Sequence, residues 1–289
     1  DVDVFASANI YDGKTKVTEY NNPNKLINQF YSGMEYGEIW GFETDRYFEE
    51  SDFTGKNADG SWIYAPGVAD QTGLQQGTFV YGPGDIKFKD LDGNGVINGG
   101  DPTMKDAEGN LIPVGTVRNH GDLKKIGNAT PRYEYSFRLG AAWKGIDVDL
   151  FFQGVGKKDV YYSGAGARAL CGNYTIYKYQ FDYWTPENPD AKFPRLLEDP
   201  NATNPNNMIS SFWVKSGAYC RLKNIVLGYT LPSSITKTAH ISKLRVYASA
   251  QNLFTIKDNF YEGFDPENSV SSGGSLYPLN KTFVFGLNV

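Results

Sequence analysis

The segment Asp90-Leu91-Asp92-Gly93-Asn94-Gly95-Val96-Ile97-Asn98-Gly99-Gly100-Asp101 carries the sharpest chemistry in the chain. Side-chain oxygens stand at its first, third and fifth positions, glycine at the sixth, a backbone carbonyl at the seventh and a carboxylate at the twelfth. That is the spacing of a calcium loop. Hard oxygen donors suit Ca2+, and the predicted ligands are Asp90, Asp92, Asn94, the Val96 carbonyl and Asp101. Asp101 stands where helix-loop-helix calcium proteins carry a bidentate Glu. A turn rich in Asp, Asn and Gly can also satisfy its own backbone through side-chain caps. In both readings the segment is structural and holds a loop in shape.

Catalysis finds little support. His120 and His240 are the only histidines, and neither lies near a nucleophile or a metal-ligand pattern. No spacing of carboxylates singles out an acid and base pair, so no enzyme is expected. Aromatic residues crowd the long polar stretches, and Tyr36, Trp40, Tyr183, Trp184 and Tyr261 are the substrate-binding candidates, since such rings stack on sugars and pack on peptide side chains. The competing reading is that long loops need a core of their own. Cys171 and Cys220 are the two cysteines; an oxidising compartment permits a disulfide between them, which spacing alone does not assign.

The elements that must position these residues are strands. From Pro131, residues Tyr133, Tyr135, Phe137, Leu139, Ala141 and Trp143 fall on one face, and Arg132, Glu134, Ser136, Arg138 and Gly140 on the other. After a tight turn at Lys144-Gly145, Ile146, Val148, Leu150 and Phe152 continue the apolar face. Each arm is long enough to cross a bilayer at a tilt, which takes about 9–11 residues. Further strands are expected near 1–11, 215–229, 242–254 and 280–289, with a bulge around Lys223-Asn224-Ile225 where alternation breaks. The predicted wall thus comprises 1–11, 131–143, 146–155, 215–229, 242–254 and 280–289.

Aromatic residues make up 15% of the chain and 32 glycines accompany them, a balance that favours strands and turns. No apolar run approaches the roughly 18 residues of a membrane helix. A net charge of −5 gives a nucleic-acid role no electrostatic support. Asp1-Val2-Asp3-Val4 opens directly in a strand pattern, so a signal peptide has been removed or the chain begins partway through a longer protein. Long polar segments (12–130, 156–211 and 255–279) alternate with short connections. Outer-membrane barrels place long loops outside the cell and short turns on the periplasmic side, which predicts these three segments to be extracellular. Six strands cannot close a barrel, because about eight is the minimum, and the remaining wall must come from sequence absent here.

Several blocks resemble, in order, the SusC/RagA-like TonB-dependent outer-membrane transporters of Bacteroidetes, specifically their C-terminal region. They include Tyr36-Gly37-Glu38-Ile39-Trp40-Gly41-Phe42, Gly84-Asp85-Ile86-Lys87-Phe88-Lys89-Asp90 running into the acidic loop, Gly127-Asn128-Ala129-Thr130-Pro131-Arg132-Tyr133, Trp184-Thr185-Pro186-Glu187-Asn188-Pro189, Arg221-Leu222-Lys223-Asn224-Ile225-Val226-Leu227-Gly228-Tyr229 and Ser249-Ala250-Gln251-Asn252-Leu253-Phe254. The resemblance implies an all-β, antiparallel transmembrane barrel of 22 strands. It also implies a plug and a TonB box, both absent from this chain, coupling to TonB-ExbB-ExbD, and a SusD-like surface lipoprotein as lid. The implied function is TonB-dependent import of an oligosaccharide or peptide across the outer membrane. The alternative is a secreted, calcium-stabilised all-β carbohydrate-binding or adhesin module, whose apolar strand faces would pack in a sandwich core.

Overall fold

The computed structural model describes residues 1–164, 167–170, 175–198, 204–260, 264–267 and 279–289. Its backbone is one six-stranded antiparallel sheet carrying a loop unit at one end. The sheet strands are β1 (Val2–Tyr11), β2 (Arg132–Trp143), β3 (Ile146–Lys157), β4 (Tyr219–Thr230), β5 (Arg245–Lys257) and β6 (Thr282–Asn288), paired in chain order. The fourth starts later than the alternation suggests, because Val214–Ser216 leave the sheet to pair with Asp159–Tyr161 in the loop unit. Likewise Lys243 precedes β5 instead of lying within it.

Register explains the two faces. In antiparallel pairs the residues opposite one another point the same way. Across the sheet Ala6 meets Leu139, Leu139 meets Leu150, Leu150 meets Ile225 and Ile225 meets Ala250, giving one continuous apolar row. Two residues along Val148 meets Leu227, and two further along Ile146 meets Tyr229. The opposite face carries Asp3, Arg138, Asp147, Asp149, Gln153 and Arg245. Charges there pair across strands: Arg138 Nε donates to Asp149 at 2.8 Å and Arg245 Nε to Asp147 at 2.9 Å. The second pair reaches over Gly228 on the intervening strand, where any Cβ would collide with the Arg245 guanidinium. The apolar face is uncovered: Val4, Ile10, Phe285 and Leu287 are each more than 60% exposed.

Turn chemistry holds the register. Lys144 and Gly145 have φ of 47° and 86°. This is the doubly left-handed backbone of a two-residue hairpin whose twist matches its strands, and glycine takes its second position without cost. The register shifts between Leu222 and Asn224 against both neighbours: Lys223 is the extra residue against β3, whereas against β5 it faces two residues, Asn252 and Leu253. Among the described residues no helix is long and apolar enough to cross a membrane.

All three long connections leave the same end of the sheet, where Tyr11, Glu134, Val155, Tyr219 and Lys257 stand in one row. The two short ones, at Lys144-Gly145 and between Leu231 and Leu244, turn at the other. The long segments fold together into the loop unit. Its main core joins Phe42, Ile86, Phe88, Ile97, Tyr162, Phe193 and Trp213, with Phe260 and Phe264 packed against it, so every long segment contributes. Phe48, Phe53 and Tyr81 form a second, smaller core. Buried polar groups act as internal staples. Gln71 donates from Nε2 to the Ile86 carbonyl at 2.9 Å and accepts from the Phe88 amide at 3.1 Å, standing in for a missing strand partner. Asp52 accepts from Arg46 at 2.6 and 2.8 Å and from Lys87 at 2.8 Å. Although burial raises its pKa, these cations hold it at about 2.

Candidate functional site

The strand Glu38–Phe42, paired with Leu123–Asn128, sets one wall of a cavity of the loop unit, about 1070 Å³ in volume. A register shift between Ile39 and Trp40 re-aims the side chains at this point. Trp40 faces the cavity and is held from several sides: its Nε1 donates to Glu38 at 3.3 Å, the Lys125 ammonium lies 5.7 Å from the ring centroid, and His120 packs 5.4 Å away. Glu38 is itself fixed, accepting from Tyr31 Oη at 2.6 Å, Lys125 Nζ at 2.7 Å and the Glu35 amide at 2.9 Å. Burial works against its charge, but these donors bring its pKa below the ordinary value. Tyr20 and Phe30 continue the aromatic lining, and the exposed Tyr36 stacks on Phe30 at 5.9 Å. Lys158, Asp159, Tyr161, Ile209 and Glu267 close the far side. A rigid indole beside further rings is a platform for the flat apolar faces of a ligand, and carboxylates and an ammonium at the edge supply polar contacts.

The predicted aromatic residues are therefore divided. Trp40 lines this cavity, and Tyr36 does not but stacks on Phe30, which does. Tyr183 packs against the main core and the Trp184 ring lies against the Gly84 backbone, so neither lines it. Tyr31 and Phe48, further members of the aromatic crowd, are buried and serve packing. Tyr261 and Cys171 lie outside the described residues; Cys220 is half-buried on β4 with no disulfide partner among those described.

Around the acidic loop, Asp90, Asp92 and Asp122 bring carboxylate oxygens within 4.8 Å of one another. Asp90 accepts from the amides of Gly93 and Gly95 at 2.7 and 2.8 Å, and Asn94 accepts from the Val96 amide at 2.7 Å. Asp101 turns elsewhere: its carboxylate caps Thr103, accepting from amide and hydroxyl at 2.7 Å each. Asp122 is buried and accepts from the Leu91 and Asn98 amides at 2.6 and 2.8 Å, which pins both ends of the loop. Burial raises its pKa, and the charges of Asp92 and Asp90 add to the effect. Three carboxylates of hard oxygen with lone pairs to spare fit a divalent cation. Asp122 has no local sequence signature, because a loop spacing counts only residues within the loop.

A second cluster ties the third long segment to the polar face. Arg221 is 2% exposed and donates to Glu267 at 2.6 Å, Asp265 at 2.7 Å and Thr255 Oγ1 at 2.7 Å. Tyr219 Oη and Lys223 Nζ also reach Glu267, each at 2.8 Å. Arg221 escapes a reading for alternation because its place as a tether depends on residues more than forty positions away.

An antiparallel sheet that is apolar on one face and charged on the other, with its long connections gathered at one end, follows the pattern of an outer-membrane barrel wall. The chain is homologous to TonB-dependent receptors and resembles the SusC/RagA-like kind, so the resemblance read from its motifs is borne out. It is 31% identical over 224 residues to TonB-dependent receptor P3 of Formosa agariphila, covering 72% of this chain and 19% of that protein. With TonB-dependent receptor P26 of the same organism it shares 27% over 249 residues, 82% of this chain and 22% of the relative. The chain thus spans about a fifth of the length of these curated relatives. Among solved structures, the RagAB peptide transporter superposes with a TM-score of 0.59 at 24% identity, over 99% of this chain and 27% of that one. The RagAB importer in its closed-closed state gives 0.57 at 22%, with the same coverage. At these identities the likeness is one of fold. No family model matches the chain.

Proposed function

We propose that this chain forms part of the wall and mouth of a barrel in the outer membrane that imports an oligosaccharide or peptide by TonB-dependent transport, working with a SusD-like lipoprotein lid and, through TonB, with ExbB and ExbD. The observation that carries the reading is the sheet itself. Its apolar face is continuous over strands of 10 to 13 residues in β1 to β5 and is covered by nothing among the described residues, as lipid contact requires. A secreted sandwich would need a second sheet on that face. The unpaired edges of β1 and β6 are then joined by further strands, which complete a barrel of 22, and the loop unit stands at the cell surface.

The test is uptake by cells carrying the whole transporter, supplied separately with labelled oligosaccharide and peptide mixtures, with and without TonB. One mixture is expected to accumulate only with TonB. Extraction of the protein without detergent, or uptake indifferent to TonB, would refute the reading. Trp40→Ala is expected to weaken binding of the accepted ligand about tenfold by removing the stacking platform; unchanged affinity would remove Trp40 from the site.

The same reading includes Ca2+ held by Asp90, Asp92 and Asp122, with Asn94 and the Val96 carbonyl beside them. The cation would relieve the repulsion of three carboxylates and stiffen the loop. Asp122→Asn is expected to lower terbium or calcium affinity by at least about tenfold, and Asp101→Asn far less. Equal losses would restore Asp101 as a ligand, and no binding by the wild type would remove the cation.

A further inference from the structure

The apolar face of the sheet is unevenly filled. On it β5 carries Val246 and Ala248, with Tyr229 and Leu227 opposite them on β4 and Leu287 and Phe285 opposite them on β6. Smaller side chains between two taller rows leave a trough along β5, about 720 Å³ in volume. It lies at the end of the sheet where the short connections turn. Gly145 packs so closely on Tyr229 that an added Cβ would stand 3.4 Å from the ring, and the connection from Leu231 to Leu244 joins the wall on β4 directly to the floor on β5. The two short connections carry Lys144, Lys237 and Lys243 and no Asp or Glu, in a chain whose net charge is −5. The strand carboxylates near this end, Asp3, Asp147 and Asp149, stand on the polar face. There Asp147 and Asp149 pair with Arg245 and Arg138, and none of the three lysines has a carboxylate within ion-pair distance among the described residues.

We propose that the trough seats one acyl chain of a phospholipid from the periplasmic leaflet, whose phosphate is held by the lysines of the short connections. The inference rests on the outer-membrane reading, which puts lipid against this face and the short turns on the periplasmic side. The walls stand on strands two apart, so about 10 Å separates their backbones before their own side chains narrow the gap. That width takes a hydrocarbon chain and excludes a helix, which is about 10–12 Å across. Lipid tails are as apolar as the trough, so apolar burial by itself selects nothing there. Selection comes from dispersion contact on three sides, which a chain lying on the flat part of the face lacks. The attraction between phosphate and ammonium at the membrane surface adds to it and favours an anionic lipid.

The test offers phosphatidylglycerol or phosphatidylcholine to the whole transporter in detergent and counts the retained lipids by native mass spectrometry. One phosphatidylglycerol is expected to stay bound under activation that strips the others. Ala248→Phe, which fills the trough, and Phe285→Ala, which removes a wall, are each expected to cut its retention by about three- to tenfold. Phe285 is 82% exposed, so its truncation leaves the packing of the sheet intact and the result stands even where Ala248→Phe disturbs the fold. Lys144→Gln combined with Lys237→Gln is expected to bring phosphatidylglycerol down to the retention of phosphatidylcholine, a loss of about tenfold. Equal retention in the wild type and both trough variants leaves only the ordinary lipid annulus and overturns the proposal. Lipopolysaccharide as the lipid that co-purifies with the wild type and is lost from both variants would move the seat to the other leaflet, and overturns it too. Failure of the outer-membrane reading shows separately, as protein that leaves the cells without detergent.

Discussion

Asp85→Ala is expected to destabilise the loop unit by about 3–5 kcal/mol, because it removes one partner of a buried ion pair and strands the rest. Asp85 is fully buried. It accepts from Arg195 Nε and Nη2 at 2.7 and 2.6 Å, from Asn206 Nδ2 at 2.7 Å and from the Gly82 amide at 2.8 Å. Its neighbours are themselves committed: the Asn206 Oδ1 accepts from the Ile86 amide at 2.8 Å, and the Asn206 carbonyl accepts from Trp213 Nε1 at 2.6 Å. One carboxylate therefore holds the first long segment to the second. Asp85→Asn keeps the shape but leaves the guanidinium without its counter-charge, and should fall between wild type and alanine. Proteolysis of the loop unit in the detergent-solubilised protein measures the effect; cleavage rates equal to wild type would mean the pair contributes nothing net.

Arg221→Ala ranks next, at about 3 kcal/mol, since it removes the buried guanidinium that Asp265 and Glu267 share. Lys223→Ala removes a more exposed charge from the same cluster and should cost under about 1 kcal/mol. The contrast separates a buried tether from a surface pair. A double-mutant cycle between Arg221 and Glu267 reads the coupling directly. A coupling near zero would show that Asp265 alone anchors the segment.

Much of the sheet is legible in the sequence, because a half-buried strand writes its two faces in alternation and the Lys144-Gly145 turn demands left-handed backbone. Even the bulge at Lys223 is visible as a break in that rhythm. The loop unit is less so. Its strands are short and irregular, and its buried residues are chosen by partners far along the chain. Aromatic composition therefore singles out Trp40, which faces the cavity, and Trp184, which does not, with equal force. The acidic loop shows the same limit: its own residues announce Asp90 and Asp92, while Asp122 joins them through a return of the chain that no spacing records.

The parallel bridge between Phe42 and Ser210, with the Thr44 amide donating to Ser211 Oγ across 167 residues of sequence at 2.9 Å, also dictates an order of assembly. Contacts of such span form late, after the intervening chain has been placed. Strands β2 and β3 lie between the two halves of that bridge, so closing the core around Phe42 costs less once they are paired and the intervening loop is shortened. The aromatic cavity is thus among the last features to appear in a newly made molecule. The cavity beside Trp40 therefore depends on the wall beneath it and not on its own segment alone.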